Sequence, residues 1–483
     1  MQGKLIMDAR TENTAIPLAV DLDGTLIATD LLWEGLFLLL RQKPHCLFLL
    51  PFWLAAGKAR LKCEIASRVA FDATALPYRA EVVDRLAAEK ASGRKLILAT
   101  AAPRLLAEAV AKHLGIFDAV MCTEPGSNLS STRKRDALIA EYGDGGFDYV
   151  GNSKADLAVF DAARTSIVVA PDRHAARWQR EHGSDLIEAK KPTFRTLLKM
   201  LRVHQWLKNS LIAVPMILSH QYLDADAIVA FLLAFVSFSA AASAIYILND
   251  FMDLALDRRH PTKRYRPFAS GALSIPFGLG AMVLLLAFSF GVALLLPPLF
   301  MLVLFGYLVA TTAYSLSLKR MLLIDVLTLA GLYAMRILAG GVATQSEWSF
   351  WLLAFSIFFF LSLALVKRYV ELRGTELPAG ERIAGRGYRA EDQEMIGMAG
   401  MAAAFTSALV LALFIDAASL SEEYTRPWLI WPLAPIVLYI TMRVWILARR
   451  DEMHDDPIVF IIRDWRSQLV AGFGALLLIG SGL

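Results

Sequence analysis

Between Asn249 and Gly271 the chain reads NDFMDLALDRRHPTKRYRPFASG, with three carboxylates and five Lys/Arg residues in positions 249–266. A helix running on through this stretch places Asp250, Asp253 and Asp257 at i, i+3 and i+7, on one face, with Asn249 beside them. Three unpartnered carboxylates repel one another and ask for a divalent cation. All-oxygen donors suit magnesium, which takes one or two carboxylates and fills its shell with phosphate oxygens. Lys263, Arg264 and Arg266 follow at once, cations suited to clamping phosphate. A solvated, charge-mixed loop is the bland alternative, but these acids close a long apolar run and adjoin a basic segment.

A second acidic pair lies in IPLAVDLDGTLI, residues 16–27, which is apolar up to Val20 and continues Asp21-Leu-Asp23-Gly24-Thr25. This reads as a buried strand running into a turn. A carboxylate at the C-terminal end of a strand lies where open α/β sheets bind ligands. Two further strands follow the same pattern, KLILATAAPR ending near Thr100 and FDYVGNSKAD ending in a glycine turn and Asp156, with Lys134 between them in STRKRDAL.

The elements that must position these groups differ in kind. The chain has 483 residues, 56% of them hydrophobic, but unevenly spread. Residues 1–189 read as a soluble α/β domain, with a small helical cap at about 31–94. A basic, Trp-bearing linker, 190–205, suits an anionic cytoplasmic leaflet. Residues 206–483 carry repeated apolar runs near membrane-spanning length, nine by our count: 206–220, 227–249, 274–296, 299–317, 323–343, 349–366, 394–416, 427–447 and 467–483. The loops at 249–273, 315–322, 367–393 and 448–466 hold 17 Lys/Arg against Arg426 alone on the other side. That asymmetry places the first set in the cytoplasm. MQGKLIMDARTENTA lacks the apolar core of a signal peptide, so the first domain is expected on the same side. Cys46, Cys63 and Cys122 form no CxxC pair and suit a reducing compartment. A net charge of +4 is too small to point to nucleic acid. Within the cap, His45 to Gly57 is unusually apolar but too short to cross a bilayer. It is either cap core or a surface resting on lipid through Trp53 and its Phe/Leu neighbours.

Taken together and in order, DxDGT at Asp21, the strand ending at Thr100, Lys134 and the GNxxxD at Asp156 resemble the haloacid-dehalogenase (HAD) superfamily over roughly residues 15–185. The resemblance implies Asp21 as a nucleophile forming an aspartyl-phosphate and Asp23 as general acid/base. It makes Thr100 and Lys134 phosphoryl ligands and points to a magnesium site drawn from Asp21, Asp23, Asn152 and Asp156. The family usually has GDxxxD here, and Asn152 removes one carboxylate from that site.

The membrane half gathers its unusual residues on the expected cytoplasmic side: Tyr314, Lys319 and Arg320 in YSLSLKR, then Lys367 and Arg368 in VKRYVELR, and Arg463, Asp464 and Arg466 near the end. Asp325, Tyr333 and Arg336 run along one apolar helix, where ionisable groups are costly and usually pair or line a cavity. Asp325 and Arg336 are read either as a structural pair or as substrate contacts. NDxxDxxxD after a second helix, the basic YSxxLK segment and nine helices resemble the UbiA-type intramembrane prenyltransferase superfamily over about 200–483. Leu329 stands where most aromatic prenyltransferases carry the second acid of a DxxxD. RVHQWLKN, HPTKRYRP and KRYVEL are more similar to the branch typified by decaprenyl-phosphate phosphoribosyltransferase.

The fold class expected is thus a HAD-like α/β domain joined to an all-α polytopic domain in a bacterial-type inner membrane. The function implied is magnesium-dependent transfer of 5-phosphoribose from phosphoribosyl pyrophosphate to a polyprenyl phosphate, followed by dephosphorylation in the HAD domain. Asn249, Asp250, Asp253, Asp257 and Asp325 form the catalytic set of the membrane half. Lys263, Arg264, Arg266, Tyr314, Lys319, Arg336, Lys367 and Arg368 contact phosphates. A polyprenyl-diphosphate:aromatic prenyltransferase, and a lipid-phosphate binding protein with an inactive HAD domain, are the rival expectations.

Overall fold

The computed structural model describes residues 16–189, 191–346, 350–374, 387–416, 426–453 and 457–482. Residues 1–15, on which the reading of the N-terminus rests, and Lys190 at the head of the linker lie outside them. The chain forms two compact units, Met1–Leu201 with Ile247–Ala281, and Arg202–Tyr246 with Met282–Leu483. The Asp-rich segment therefore groups with the N-terminal domain, which its sequence position does not suggest.

The first unit is built on a six-stranded parallel sheet: β1 (Leu18–Val20), β2 (Leu96–Pro103), β3 (Ala119–Thr123), β4 (Asp148–Gly151), β5 (Ser166–Val169) and β6 (Asp185–Ile187), in the order β3-β2-β1-β4-β5-β6. A parallel sheet is covered on both faces, so its strands are apolar throughout and alternate between two cores. Leu18, Val20, Leu96 and Leu98 enter one core, while Ala19, Ile97 and Ala99 enter the other. At the N-terminal end of β4, Asp148 is 2% exposed. It accepts hydrogen bonds from Arg94, from Arg164 Nε at 3.0 Å and from the Thr165 amide at 3.0 Å. Removing one partner of a buried ion pair costs about 3–5 kcal/mol. Asp148→Ala should therefore lower the denaturant midpoint of the first unit's transition, and an unchanged midpoint would show that the network does not stabilise it.

The cap is helical as expected, with helices Leu31–Gln42, Lys58–Ala66 and Ala80–Ala91. The first begins where Asp30 accepts the amides of Leu32 and Trp33, an N-cap. Trp53 is buried beside Leu39, Cys46, Ile65 and Val69, with Arg68 stacked 4.7 Å from its ring. It is a core residue and not a lipid contact. Its neighbours Phe48, Leu49, Phe52 and Leu54 are the exposed part of that stretch.

Of the nine expected spans, six helices among the described residues are long and apolar enough to cross a membrane: Ala225–Met252, Ile275–Ala293, Pro298–Leu316, Ile324–Thr344, Phe350–Arg373 and Ala390–Asp416. The chain is a multi-pass membrane protein. The other three segments differ for local reasons. Residues 206–220 break into a 3₁₀ run, Val203–Ala213, and a short helix that starts at Val214-Pro215. Leu433–Arg449 has only 17 residues, and Trp465–Gly482 opens on the polar Arg466-Ser467-Gln468.

Candidate active sites

In the first unit β1 lies between β2 and β4. The chain leaves β1 towards β2 on one side and returns to it through β4 on the other, a topological switch point. Asp21 and Asp23 follow β1, Thr100 lies in β2, and Asn152 and Asp156 follow β4. Lys134, on the helix Thr132–Tyr142, reaches into their midst. It donates to Asp21 Oδ1 at 2.7 Å, to the Tyr149 hydroxyl at 2.8 Å and to Asp156 Oδ1 at 3.2 Å, which uses all three of its protons. Burial works against the lysine charge, but the two carboxylates outweigh it and hold its pKa above the ordinary value. Burial likewise raises Asp21 to about 6 against the pull of Lys134. Asp23 is pushed well above the usual carboxylate range by burial and by Asp30 and Asp21, which suits an acid that donates a proton. Thr100 is buried and accepts the Ala102 amide at 3.0 Å.

Asp156 has a different task from the one expected of it. Its Oδ1 accepts from Lys134 and from the Tyr149 hydroxyl at 2.7 Å. Its Oδ2 accepts the amides of Asn152 and Ser153 and the Ser153 hydroxyl, at 3.0–3.1 Å. Five donors saturate one carboxylate, so it anchors Lys134 and has no lone pair left for a cation. Asn152 offers only a neutral amide, packed so close that a Cβ on Gly24 would meet its Nδ2 at 2.3 Å. Among the described residues no group of three or more His, Cys, Asp or Glu could hold a metal. The residues of this pocket do not fit the magnesium site expected of Asp21, Asp23, Asn152 and Asp156. Tyr149 and the cap residue Lys62 were missed by sequence reasoning. Tyr149 reads as one more inward strand residue, and Lys62 as an ordinary helix cation. Lys62 Nζ donates to the Ala101 carbonyl at 2.7 Å, and burial lowers its pKa. It helps close the cap over Asp23, leaving a cavity of about 10 Å³, no more than one water needs.

The Asp-rich segment is not one continuous helix. The helix Ala225–Met252 ends, Asp253 takes φ −107° and ψ 9°, and a second helix runs Leu254–Arg259. The three acids are also partnered. Arg266 Nη1 lies 3.3 Å from Asp250 Oδ1 and 2.6 Å from Asp257 Oδ2, while Arg41 Nη1 lies 3.2 Å from Asp253 Oδ1. Burial raises the Asp257 pKa, with Arg266 opposing it. Arg266 is thus a partner of the acids rather than a free phosphate clamp, whereas Lys263 and Arg264 are exposed. One group in the segment lacks a partner among the described residues. The Asn249 side-chain oxygen is buried and has no hydrogen-bond donor, an orphan of the kind that calls for an explanation. With Asp250 and Asp253 it makes an all-oxygen donor set of the type magnesium accepts.

In the second unit Asp325 and Arg336 do not pair. Asp325, fully buried, accepts from the Tyr388 hydroxyl and from the Val326 amide at 2.7 Å, and its Oδ2 lies 2.8 Å from Arg368 Nε. Arg368 is 1% exposed and also meets Glu371. Asp325 and Arg368 thus form a buried ion pair between the helices Ile324–Thr344 and Phe350–Arg373, while Arg368 Nη2 is a buried donor with no hydrogen-bond partner among the described residues. Arg336, 5% exposed, donates to Asn209 Oδ1 at 2.8 Å, to the Tyr307 hydroxyl at 3.1 Å and to the Leu332 carbonyl at 2.5 Å. Its guanidinium lies 5.1 and 5.4 Å from the Tyr307 and Tyr333 rings, and Lys208 Nζ lies 5.8 Å from Tyr333. Lys367 and Tyr333 line one small cavity. Lys208, Asn209 and Tyr307 were not assigned from sequence, although RVHQWLKN contains the first two. Tyr314 and Lys319 stand at the end of the helix Pro298–Leu316 and in the turn after it.

The comparisons with known proteins match two families along the chain. The family model of UbiA prenyltransferases matches residues 210–462, and that of haloacid dehalogenase-like hydrolases matches residues 18–161. The uncharacterized protein y4nM of Sinorhizobium fredii is 37% identical over 479 residues, 98% of this chain and 92% of that protein. The nodulation protein NoeC of Azorhizobium caulinodans is 33% identical over 280 residues, 58% of this chain and 91% of that protein. The decaprenyl-phosphate phosphoribosyltransferase of Mycobacterium tuberculosis H37Rv is 37% identical over 186 residues, 37% of this chain and 61% of that protein.

Proposed function

This chain belongs to the UbiA prenyltransferase family and carries an N-terminal HAD-like domain, and on that premise we propose that it transfers 5-phosphoribose from phosphoribosyl pyrophosphate to a polyprenyl phosphate. The observation that carries the reading is Arg336, a buried guanidinium whose partners among the described residues are an amide, a phenol and a carbonyl, with no carboxylate. A cation buried in a membrane domain without a counter-ion is costly, and a substrate phosphate supplies that counter-ion. The likeness to a protein named as a phosphoribosyltransferase supports the same donor. The positive-inside loops support a cytoplasmic active face in the inner membrane.

In this reading Asn249, Asp250 and Asp253 hold the magnesium ion, with Asp257 kept in place through Arg266. The ion, when bound, neutralises the diphosphate that leaves. Lys263, Arg264, Lys319 and Lys367 contact phosphate oxygens, with Tyr314 beside them, and the cluster of Lys208, Asn209 and Arg336 takes an anionic group of the substrate. An oxygen of the acceptor phosphate forms the new bond to ribose C1 as the C1–O bond to diphosphate breaks and its electron pair leaves with the diphosphate. The acceptor is already anionic, so no general base is needed, and catalysis is positioning and charge stabilisation. In the HAD-like domain Asp21 attacks the 5-phosphate of the lipid-linked product and Asp23 protonates the departing ribose oxygen; water then hydrolyses the aspartyl-phosphate and inorganic phosphate leaves. The cap must move aside before that substrate can reach Asp21, which is 7% exposed.

The test is isotope transfer by the purified full-length protein with magnesium and polyprenyl phosphate. Label from phosphoribosyl pyrophosphate should enter the lipid fraction, and prenyl diphosphates should be poor donors. Label that stays aqueous, with prenylation of 4-hydroxybenzoate instead, would replace this reading by an aromatic prenyltransferase. A second expectation concerns Gly340, where a Cβ would lie 2.1 Å from the Ile212 carbonyl oxygen. Gly340→Ala must push back the Val203–Ala213 run that carries Lys208 and Asn209. A displacement near 1 Å should reduce transfer about 10²-fold, and wild-type turnover would show that this close approach does not position the cluster.

A further inference from the structure

The Asp-rich segment is held by the N-terminal domain at five places within the first unit, four of them in the cap. Arg258 is buried and offers its guanidinium as a fork to Glu34, with Nη2 2.5 Å from Oε1 and Nη1 2.9 Å from Oε2, while its Nε donates to the Ala269 carbonyl at 2.9 Å. Arg259 pairs with Asp72. Phe37 packs on Phe251 at 4.8 Å between ring centroids, and Phe251 in turn on Phe268 at 4.7 Å. Gly271, at φ +73°, approaches Ala28 so closely that a Cβ would meet the Ala28 Cβ at 2.5 Å and its carbonyl oxygen at 2.6 Å. Ala28 follows the Asp21–Asp23 turn, and Glu34, Phe37, Arg41 and Asp72 belong to the cap.

The contact with the most consequence is that of Arg41. Its Nη1 donates to the carbonyl of Met252, the last residue of the long helix, at 3.0 Å, and lies 3.2 Å from Asp253 Oδ1. One guanidinium nitrogen from the cap thus ties the helix end to the acid at the kink. Packing alone would be served by the aromatic contact. A buried Arg–Glu fork and a cation placed on a site acid are instead means of fixing register and orientation. Partners of this second rank commonly change metal affinity when removed.

We infer that the cap of the HAD-like domain is a clamp on the Asp-rich segment, and that Arg41 is a positioning residue for Asp253. This rests on the proposed role of Asp253 towards magnesium. It gives the fused domain a duty in transfer that is separate from any phosphatase chemistry. It also links the two activities: a cap that opens to admit substrate to Asp23 must loosen the contacts that hold Asp253. The domain is then required for transfer even if the Asp21 pocket hydrolyses nothing.

The test compares full-length wild type with Arg41→Ala, Arg41→Lys and Gly271→Ala. The first readout is amide hydrogen exchange across residues 249–271, which does not depend on what the enzyme transfers. The second is the magnesium concentration giving half-maximal release of diphosphate, from whichever donor the wild type uses. Arg41→Ala and Gly271→Ala should both speed exchange across 249–271. Arg41→Ala should raise the half-saturating magnesium concentration about tenfold, and Arg41→Lys, which keeps a donor, should recover part of that loss. Unchanged exchange in both variants would overturn the clamp. Faster exchange with unchanged magnesium dependence would overturn the positioning role of Arg41. If the wild type uses a donor other than phosphoribosyl pyrophosphate, the proposed substrate fails, while the exchange and magnesium data still decide the clamp.

Discussion

Asp250→Asn should abolish transfer, by about 10³-fold or more, while the protein stays folded. Asp250 is 2% exposed and follows Asn249, whose side-chain oxygen is orphaned. In the proposed reading, losing its charge would remove a magnesium ligand and leave the departing diphosphate poorly neutralised, a term of several kcal/mol in such reactions. Folding should survive because Arg266 keeps Asp257 at 2.6 Å, and Asn preserves the shape of the side chain. Near-normal transfer by this variant at limiting magnesium would remove the metal from the Asp-rich segment. Since Asp253 is also held by Arg41, Asp253→Asn should be as damaging to transfer.

Arg336→Met should lower kcat/KM by about 10²-fold or more. Arg336→Lys should recover only part of it, because a lysine cannot reproduce the fork that meets Asn209 and Tyr307. Methionine fills much of the same volume, so the variant removes a buried charge without opening a large void. If Arg336 served only to hold the helices together, Arg336→Met would leave the buried Asn209 and Tyr307 without their donor and lower the melting temperature, with kcat/KM of the folded protein unaltered. Unaltered kinetics would contradict a substrate role.

Much of this was legible in the residues themselves. The DxDGT turn after an apolar run, the strands through Thr100 and before Asn152, and the long apolar helices announce the two fold classes, because period and polarity there follow directly from burial. Pairings made by tertiary structure were not legible. Asp325 and Arg336 share a helix, but eleven residues at about 1.5 Å rise lie some 16 Å apart, too far to touch. The partner of Asp325 came from the next helix as Arg368, and that of Arg336 came from the buried Asn209. Asp253 looked unpartnered because Arg41 stands more than two hundred residues away, and Asp250 and Asp257 because Arg266 reads as a phosphate clamp. Asp156 looked like a metal ligand because a motif records the residue type and not its five hydrogen-bond donors. The span count suffered where Pro215 and the buried Lys208 and Asn209 turn an apolar run into a 3₁₀ segment.

The most direct test of the central claim is the mass of the lipid formed from phosphoribosyl pyrophosphate, polyprenyl phosphate and magnesium by the full-length protein and by its Asp21→Asn variant. The account predicts a polyprenyl-phosphoryl-ribose from the wild type and the same lipid carrying a 5-phosphate from the variant. A lipid in the same phosphorylation state from both would separate the two domains, and the absence of any ribosyl adduct from either would contradict the account.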